Sequence, residues 1–329
     1  MEIFSRELLN ELDILDYGYT EDSIAASFDG YKSWVEKNHH GSLKYLEGEK
    51  LNKRQDIKKY YSEFKSAFVF LFDYSTEKGA LEKFYKSSKS NGLKIGSYTL
   101  IDNGEDYHFS IRRKLQHLGE QLKALRPELN LLYALDTQPI LDRDLAYRAG
   151  LGWFGKNSML INKKYGSFFL IGSLLCDPQF EHSIKIIDTD HCGNCTACVQ
   201  ACPTLAIDPE TRTVEVDKCI PYFTIELFKD ESKPPSGYNE MNEIFGCDIC
   251  QDVCPWNRKI LASCENSEIA RNGVELNQDI KTFFLEQSMD EITTELKGMS
   301  KKGYRKKFLN SSFERTGRDG ILKNLKYKK

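Results

Sequence analysis

A chain of 329 residues with 40% hydrophobic and 29% charged residues has the composition of a soluble globular protein and room for two or three domains, or for one large domain with a smaller insert. No apolar run approaches the ~18 residues a membrane crossing needs. The acidic, amphipathic start MEIFSRELLNELDILDYGY lacks the basic-then-apolar order of a signal peptide, so a cytoplasmic protein with no membrane partner is expected. The net charge of −3 conceals an asymmetry: Lys297 to Lys329 holds 12 Lys/Arg against 2 Asp/Glu, so the rest of the chain sums to −13. A basic terminal segment on an acidic body points to a polyanion, nucleic acid first, or to a solvated helix face.

In chain order, residues 1–50 read as helices, with Leu8, Leu9, Leu12 and Leu15 near helical spacing and a second pattern through Tyr31 and Trp34. Ala67–Phe72 (AFVFLF) is of strand length. Residues 107–125 have helical periodicity that stops at Pro127. Asn130–Leu135 is a second strand candidate, Ile140–Ala149 a helix ended by Gly150, and Ser158–Ile161 and Ser167–Leu175 two strands joined by a turn at Lys163–Gly166. Helices and strands mix without a βαβ rhythm, which predicts an α+β fold. From about His191 the chain turns to cysteine-rich loops with short helices, and after Cys254 it is helical and increasingly polar.

Ten cysteines in a cytoplasmic chain are ligands before they are disulfides. Cys192, Cys195, Cys198 and Cys202-Pro203 follow the C-x2-C-x2-C-x3-C-P pitch of bacterial two-cluster ferredoxins. Cys219, Cys247, Cys250 and Cys254-Pro255 repeat it with one gap stretched to 27 residues. In that pattern the fourth cysteine of each run serves the other cluster. This assigns Cys192, Cys195, Cys198 and Cys254 to one [4Fe–4S] cluster and Cys202, Cys219, Cys247 and Cys250 to a second. Paired CxxC units also bind zinc, but rarely at this spacing. Cys176 and Cys264 fall outside both sets and read as inert buried thiols. The stretch between Cys219 and Cys247 reads as a substrate- or cofactor-facing excursion or as a solvated loop.

Iron–sulfur clusters move single electrons, and nearly 190 residues precede this segment, so a second redox site is expected. No G-x-G-x-x-G follows a strand, no G-x-x-x-x-G-K-[ST] is present, and no separate C-x-x-x-C-x-x-C remains. The densest unusual stretch is LDTQPILDRDLAYRAGLGWFGKNSMLI, residues 135–161. Asp136 follows an apolar strand, where partial desolvation would suit a general acid; the alternative is a cap or turn residue. Asp142 and Asp144 open the predicted helix and read as caps. Gly150, Gly152 and Gly155 permit approach to a flat ligand or act as caps, and Lys156 and Asn157 suit an anionic or amide-bearing ligand or plain exposure.

This stretch, with CGNCTACVQACPTLAI, FGCDICQDVCPWN, the early YKSWVEKNHHGSLKYLEGEKLNKRQDI and the late FERTGRDGILKN, resembles the epoxyqueuosine reductases over nearly the whole chain. The resemblance implies a cobalamin beside the two clusters and reduction of an epoxide on a tRNA wobble nucleoside. It implies Asp136 as proton donor, with Leu135 in place of a common valine. It also implies that Arg54, Asp136, Lys156, Asn157, Leu160, Ile171, Cys247 and Asp248 contact the cobalamin. The expected division is a cobalamin-binding domain over 1–185, a ferredoxin-like domain over 186–262, and a helical basic segment over 263–329 touching tRNA. A monomer fed by an external low-potential donor of ferredoxin or flavodoxin type completes the expectation. The alternatives are a cobalamin-dependent reductive dehalogenase and a ferredoxin-type carrier.

Overall fold

The computed structural model describes residues 3–185, 190–227, 233–266 and 275–328; the side chains of 263–266, Cys264 among them, lie outside that description. The chain forms two compact units that interleave in sequence. The first comprises Met1–Asp73, Ser110–Cys195 and Pro209–Thr213, the second Tyr74–Phe109, Thr196–Asp208 and Val214–Lys329.

The first unit is organised by the AFVFLF run. The strand Ser66–Asp73 lies inside an antiparallel four-stranded sheet, between Ile14–Thr20 on one side and Phe169–Cys176 on the other, with Leu131–Ala134 beyond the latter. Every residue from Ala67 to Phe72 is wholly buried, because successive side chains serve opposite faces. Ala67, Val69 and Leu71 pack with Ile140, Leu145, Ala146 and Ala149. On the other face Phe68 and Phe70 meet Phe4 edge-on, with centroids 5.4 and 5.2 Å away.

The helix Tyr107–Leu125 has the predicted bounds and buries Ile111, Leu115, Leu118 and Leu122 on one face. The reading of residues 1–50 as helices is corrected at Ile14–Thr20, which is a strand. The leucine pattern runs across a break: the helix Arg6–Glu11 is capped by Ser5 and ends before Asp13, whose φ of 54° is incompatible with its continuation. A second correction concerns residues 158–175. Leu160–Ile161 pairs with Trp153–Phe154, not with Phe169–Cys176. The predicted turn does form, held by Asn162 Oδ1, which accepts from the backbone N–H of Lys164 (2.8 Å) and Tyr165 (3.1 Å).

In the second unit Lys94–Ile95 pairs in parallel with Glu243–Phe245. Around this pair Leu81, Ile95, Phe245, Phe284, Phe308, Phe313 and Ile321 form one core. The terminal helix Ser312–Lys326 is more than a charged face. Asn324, fully buried, donates through Nδ2 to the carbonyls of Thr224 and Ile244 (2.9 Å each), and Tyr238 Oη donates to Asn324 O (3.3 Å). Lys323 Nζ donates to Phe223 O and Leu227 O, and Lys328 Nζ to Tyr238 O and Met241 O. The helix thus clasps both flanks of the excursion that separates Cys219 from Cys247. Burial also pushes Lys328 down to about 7, so the formal +10 of the segment overstates its charge.

Asn324→Leu strands two buried carbonyls and is expected to cost about 2–5 kcal/mol. Denaturant unfolding of the cluster-loaded protein measures it, and a loss below ~1 kcal/mol would contradict the clasp.

Candidate active site and iron–sulfur segment

The cysteines are placed by short turns. Cys192 N–H donates to Asp190 Oδ1 (2.7 Å), and Cys195 N–H to Cys192 O (2.9 Å). The helix Ala197–Ala201 carries Cys198, and Cys202 Sγ accepts from Ala206 N–H (3.3 Å). The helix Ile249–Asp252 carries Cys250, and Cys254 is buried just beyond it.

The thiols of the second predicted set feel one another. Burial, then the neighbouring Cys202, pushes Cys219 up to about 12. Burial raises Cys250, then Cys219, Cys198 and Cys202 add to it; burial, then Glu243, raises Cys247, with Cys250 contributing further. Buried thiols brought near one another suit a cluster that binds thiolates and supplies the compensating positive charge.

Two lysines stand by these loops. Lys156 Nζ donates to Gly193 O (2.6 Å) and Cys195 O (3.0 Å), so the ammonium expected at a cofactor is engaged by the cluster loop. Lys78, only 2% exposed, pairs with Asp252 (2.6 Å), Glu82 (2.7 Å) and Asp248 (3.5 Å). Asp248 Oδ2, the candidate cofactor contact next to Cys247, also accepts from Ser97 N–H (2.9 Å). Lys78 was not singled out from the sequence; its only local signal is Glu82, one helical turn on.

The Asp136 segment is built differently from its expectation. Asp136 follows the strand Leu131–Ala134 and takes a left-handed φ of 59°, in a turn where Leu135 N–H donates to Gln138 Oε1 (2.7 Å). Its side chain is exposed rather than partly desolvated. The desolvated carboxyl is Asp142. It stands in the first turn of the helix Asp142–Arg148 but caps nothing, since the cap position is Leu141. Burial, then the charge of Asp136, pushes Asp142 up to about 7, although its carboxylate accepts from the Asp136 backbone N–H. Its Oδ1 is buried without a partner.

Asp144 is likewise no cap. It is 1% exposed, bound to Arg148 Nε (2.6 Å), and accepts from Ser27 N–H (2.7 Å). Both aspartates were misread because an acid in a first helical turn looks like a cap until burial is known.

Arg143 Nη1 donates to Ser158 O and to Ser158 Oγ (2.7 Å), which ties the Asp142 helix to the turn after Asn157. Asn157 and Leu160 are buried there. Ile171 lies half-buried on the strand opposite Leu71, and Arg54 is buried with its guanidinium on the carbonyls of Tyr45 and Lys50. The three glycines sit where the chain packs too closely for a side chain. A Cβ on Gly152 would stand 2.2 Å from Ile161 O, Gly150 abuts Lys185, and Gly155 abuts Asn157 and Ile161.

Among the described residues no helix is long and apolar enough to cross a membrane. Residues 54–137 match the family described as "Epoxyqueuosine reductase QueG, DUF1730", and residues 191–257, which hold all eight predicted ligands, match the 4Fe-4S double cluster binding domain. An epoxyqueuosine reductase of Leadbetterella byssophila is 38% identical over 296 residues, 90% of this chain and 87% of its own. The solved epoxyqueuosine reductase of Streptococcus thermophilus shares the fold, with a TM-score of 0.77 at 22% identity over 99% of this chain and 79% of its own. Another solved epoxyqueuosine reductase, in complex with an epoxyqueuosine-modified tRNA-Tyr stem loop, gives 0.71 at 23% identity over 98% of this chain and 78% of its own. With its mixed α+β fold, its double-cluster segment and these relatives, the chain belongs to the epoxyqueuosine reductase family.

Proposed function

We propose that this protein reduces epoxyqueuosine to queuosine at the wobble position of tRNA, with Asp136 as proton donor and two [4Fe–4S] clusters as the electron route. The observation that carries this reading is the 38% identity over nine-tenths of the chain to an epoxyqueuosine reductase, together with all eight ligands at two-cluster spacing. The stem-loop complex of a solved relative supports tRNA as the substrate carrier.

Converting an epoxide to an alkene consumes two electrons and two protons and releases water. The electrons come singly from an external low-potential donor of ferredoxin or flavodoxin type. A cobalamin bound at this site would supply a low-valent cobalt able to attack or reduce the epoxide. A buried amide at Asn157, buried apolar Leu160, half-buried Ile171 and the buried cation of Arg54 match the amide-fringed, apolar rim of a corrin, and are the groups that would hold it. Asp136, exposed on its left-handed turn, is where a proton can be passed to the opening oxygen. Among the alternatives, a small-molecule dehalogenase has no use for the basic terminal segment, and a pure electron carrier has no use for the first unit. A monomeric cytoplasmic enzyme is part of the proposal. Nucleoside analysis of tRNA from cells lacking the protein should show epoxyqueuosine accumulating and queuosine absent; unchanged queuosine would overturn the assignment.

The terminal segment supplies a narrower test of tRNA contact. Lys301, Arg305 and Lys307 already pair with Asp319, Glu314 and Glu295. Lys302 and Lys306 are exposed and form no ion pair among the described residues. Lys302→Glu with Lys306→Glu should weaken tRNA binding and flatten the slope of log affinity against log salt by about 2. Filter binding at several salt concentrations measures it. An unchanged slope would make this helix a solvated face only.

A further inference from the structure

A buried ammonium is costly unless its charge is matched, and Lys78 is only 2% exposed. It projects from the helix Ser75–Tyr85. Its Nζ stands 2.6 Å from Asp252 Oδ1, 2.7 Å from Glu82 Oε1 and 3.5 Å from Asp248 Oδ2. Burial works against the charge, but Asp248, then Asp252 and Glu82, outweigh it and raise the ammonium above its ordinary range. Lys78 is therefore a fixed cation.

Two of its three carboxylates bracket cluster ligands. Asp248 follows Cys247 and stands at the start of the helix Ile249–Asp252, which carries Cys250; Asp252 ends that helix, two residues before Cys254. Lys78 thus grips both ends of the ligand helix. The thiols feel Asp248 as well. It adds to the rise of Cys247 after burial and Glu243, and to that of Cys250 after burial and the neighbouring thiols.

We propose that Lys78 is the fixed counter-ion of the second cluster: it positions the helix that carries Cys250 and offsets Asp248 and Asp252, so that the cluster takes up an electron readily. The inference rests on Cys219, Cys247 and Cys250 sharing a cluster, which holds whether or not the fourth cysteines cross. Reduction adds one electron from the external donor to a centre already made negative by its thiolates, and no bond forms or breaks. A nearby carboxylate opposes that electron and a cation favours it. A buried unit charge beside a one-electron centre changes its reduction equilibrium by about tenfold.

The test is a redox titration of the reconstituted protein followed by electron paramagnetic resonance. The second cluster is the signal that Cys219→Ala removes. At the potential that reduces half of it in wild type, Lys78→Met should leave the oxidised form in about tenfold excess or more. Asp248→Asn keeps an acceptor for the Ser97 N–H and should shift the ratio the other way by about as much. Combining the two substitutions should restore the ratio to within about threefold of wild type. A merely structural lysine would lower iron content and leave the remaining clusters at the wild-type potential, and that result would overturn the proposal. An unshifted Asp248→Asn would overturn it too, even where Lys78→Met fails to hold iron. If Cys219→Ala removed neither signal, the ligand assignment would fall and the proposal with it, which separates the two failures.

Discussion

Asp136→Asn is expected to retain both clusters, the fold and tRNA binding while turnover falls by about 10²-fold or more, the loss typical of a missing general acid. The amide is nearly isosteric and the residue is exposed, so no core contact is lost; the left-handed φ of 59° is one that asparagine tolerates as readily as aspartate. The amide cannot deliver a proton. Thr137→Ala, one residue on and equally exposed, is the control and should turn over nearly as wild type. Asp144→Asn is unsuitable as a control, since breaking its buried pair with Arg148 is expected to cost ~3–5 kcal/mol of stability. The measurement is queuosine formed per enzyme, with iron content and tRNA affinity taken on the same samples. Near-normal turnover would remove Asp136 from the reaction.

Cys202→Ala and Cys254→Ala should each eliminate a different cluster, with about four iron atoms lost in each case, because the fourth cysteine of each run serves the other run's cluster. Cys202, from the first run, lies near Cys219 and Cys250, and Cys198 of the first run also lies near Cys250, so the variants and not proximity decide the assignment. Cys254 follows the helix that carries Cys250 and is nine-tenths buried. Electron paramagnetic resonance of the reduced variants tells the clusters apart. Loss of the same signal in both would show that ligation is uncrossed.

Periodicity and ligand spacing made much of this legible in the sequence. The AFVFLF run has strand length, and its burial on both faces came from its central place in the sheet; the periodicity of residues 107–125 put Ile111, Leu115, Leu118 and Leu122 on one helix face. The eight cysteines declared their cofactor by spacing alone. What stayed hidden depends on contacts between residues far apart in sequence. Burial of Asp142 comes from how its helix docks on the sheet, so an apparent cap became a desolvated carboxyl. Lys156 read as an anion contact or as an exposed lysine, and its partners in the fold are carbonyls 37 and 39 residues away. Asn324 and Lys328 looked like part of a charged tail, yet they hold the excursion between two cluster ligands across 80 to 100 residues. Asp13, with its positive φ, ended a leucine pattern that periodicity alone would have continued.

The most direct measurement of the central claim is made on purified protein, reconstituted with iron, sulfide and cobalamin and supplied with a low-potential one-electron reductant. It is given tRNA carrying epoxyqueuosine, and the nucleosides are resolved by mass spectrometry after digestion. Loss of one oxygen atom from the modified nucleoside, dependent on both the reductant and intact Cys202 and Cys254, is the predicted result. Epoxyqueuosine left unchanged by fully loaded, reducible protein would contradict it.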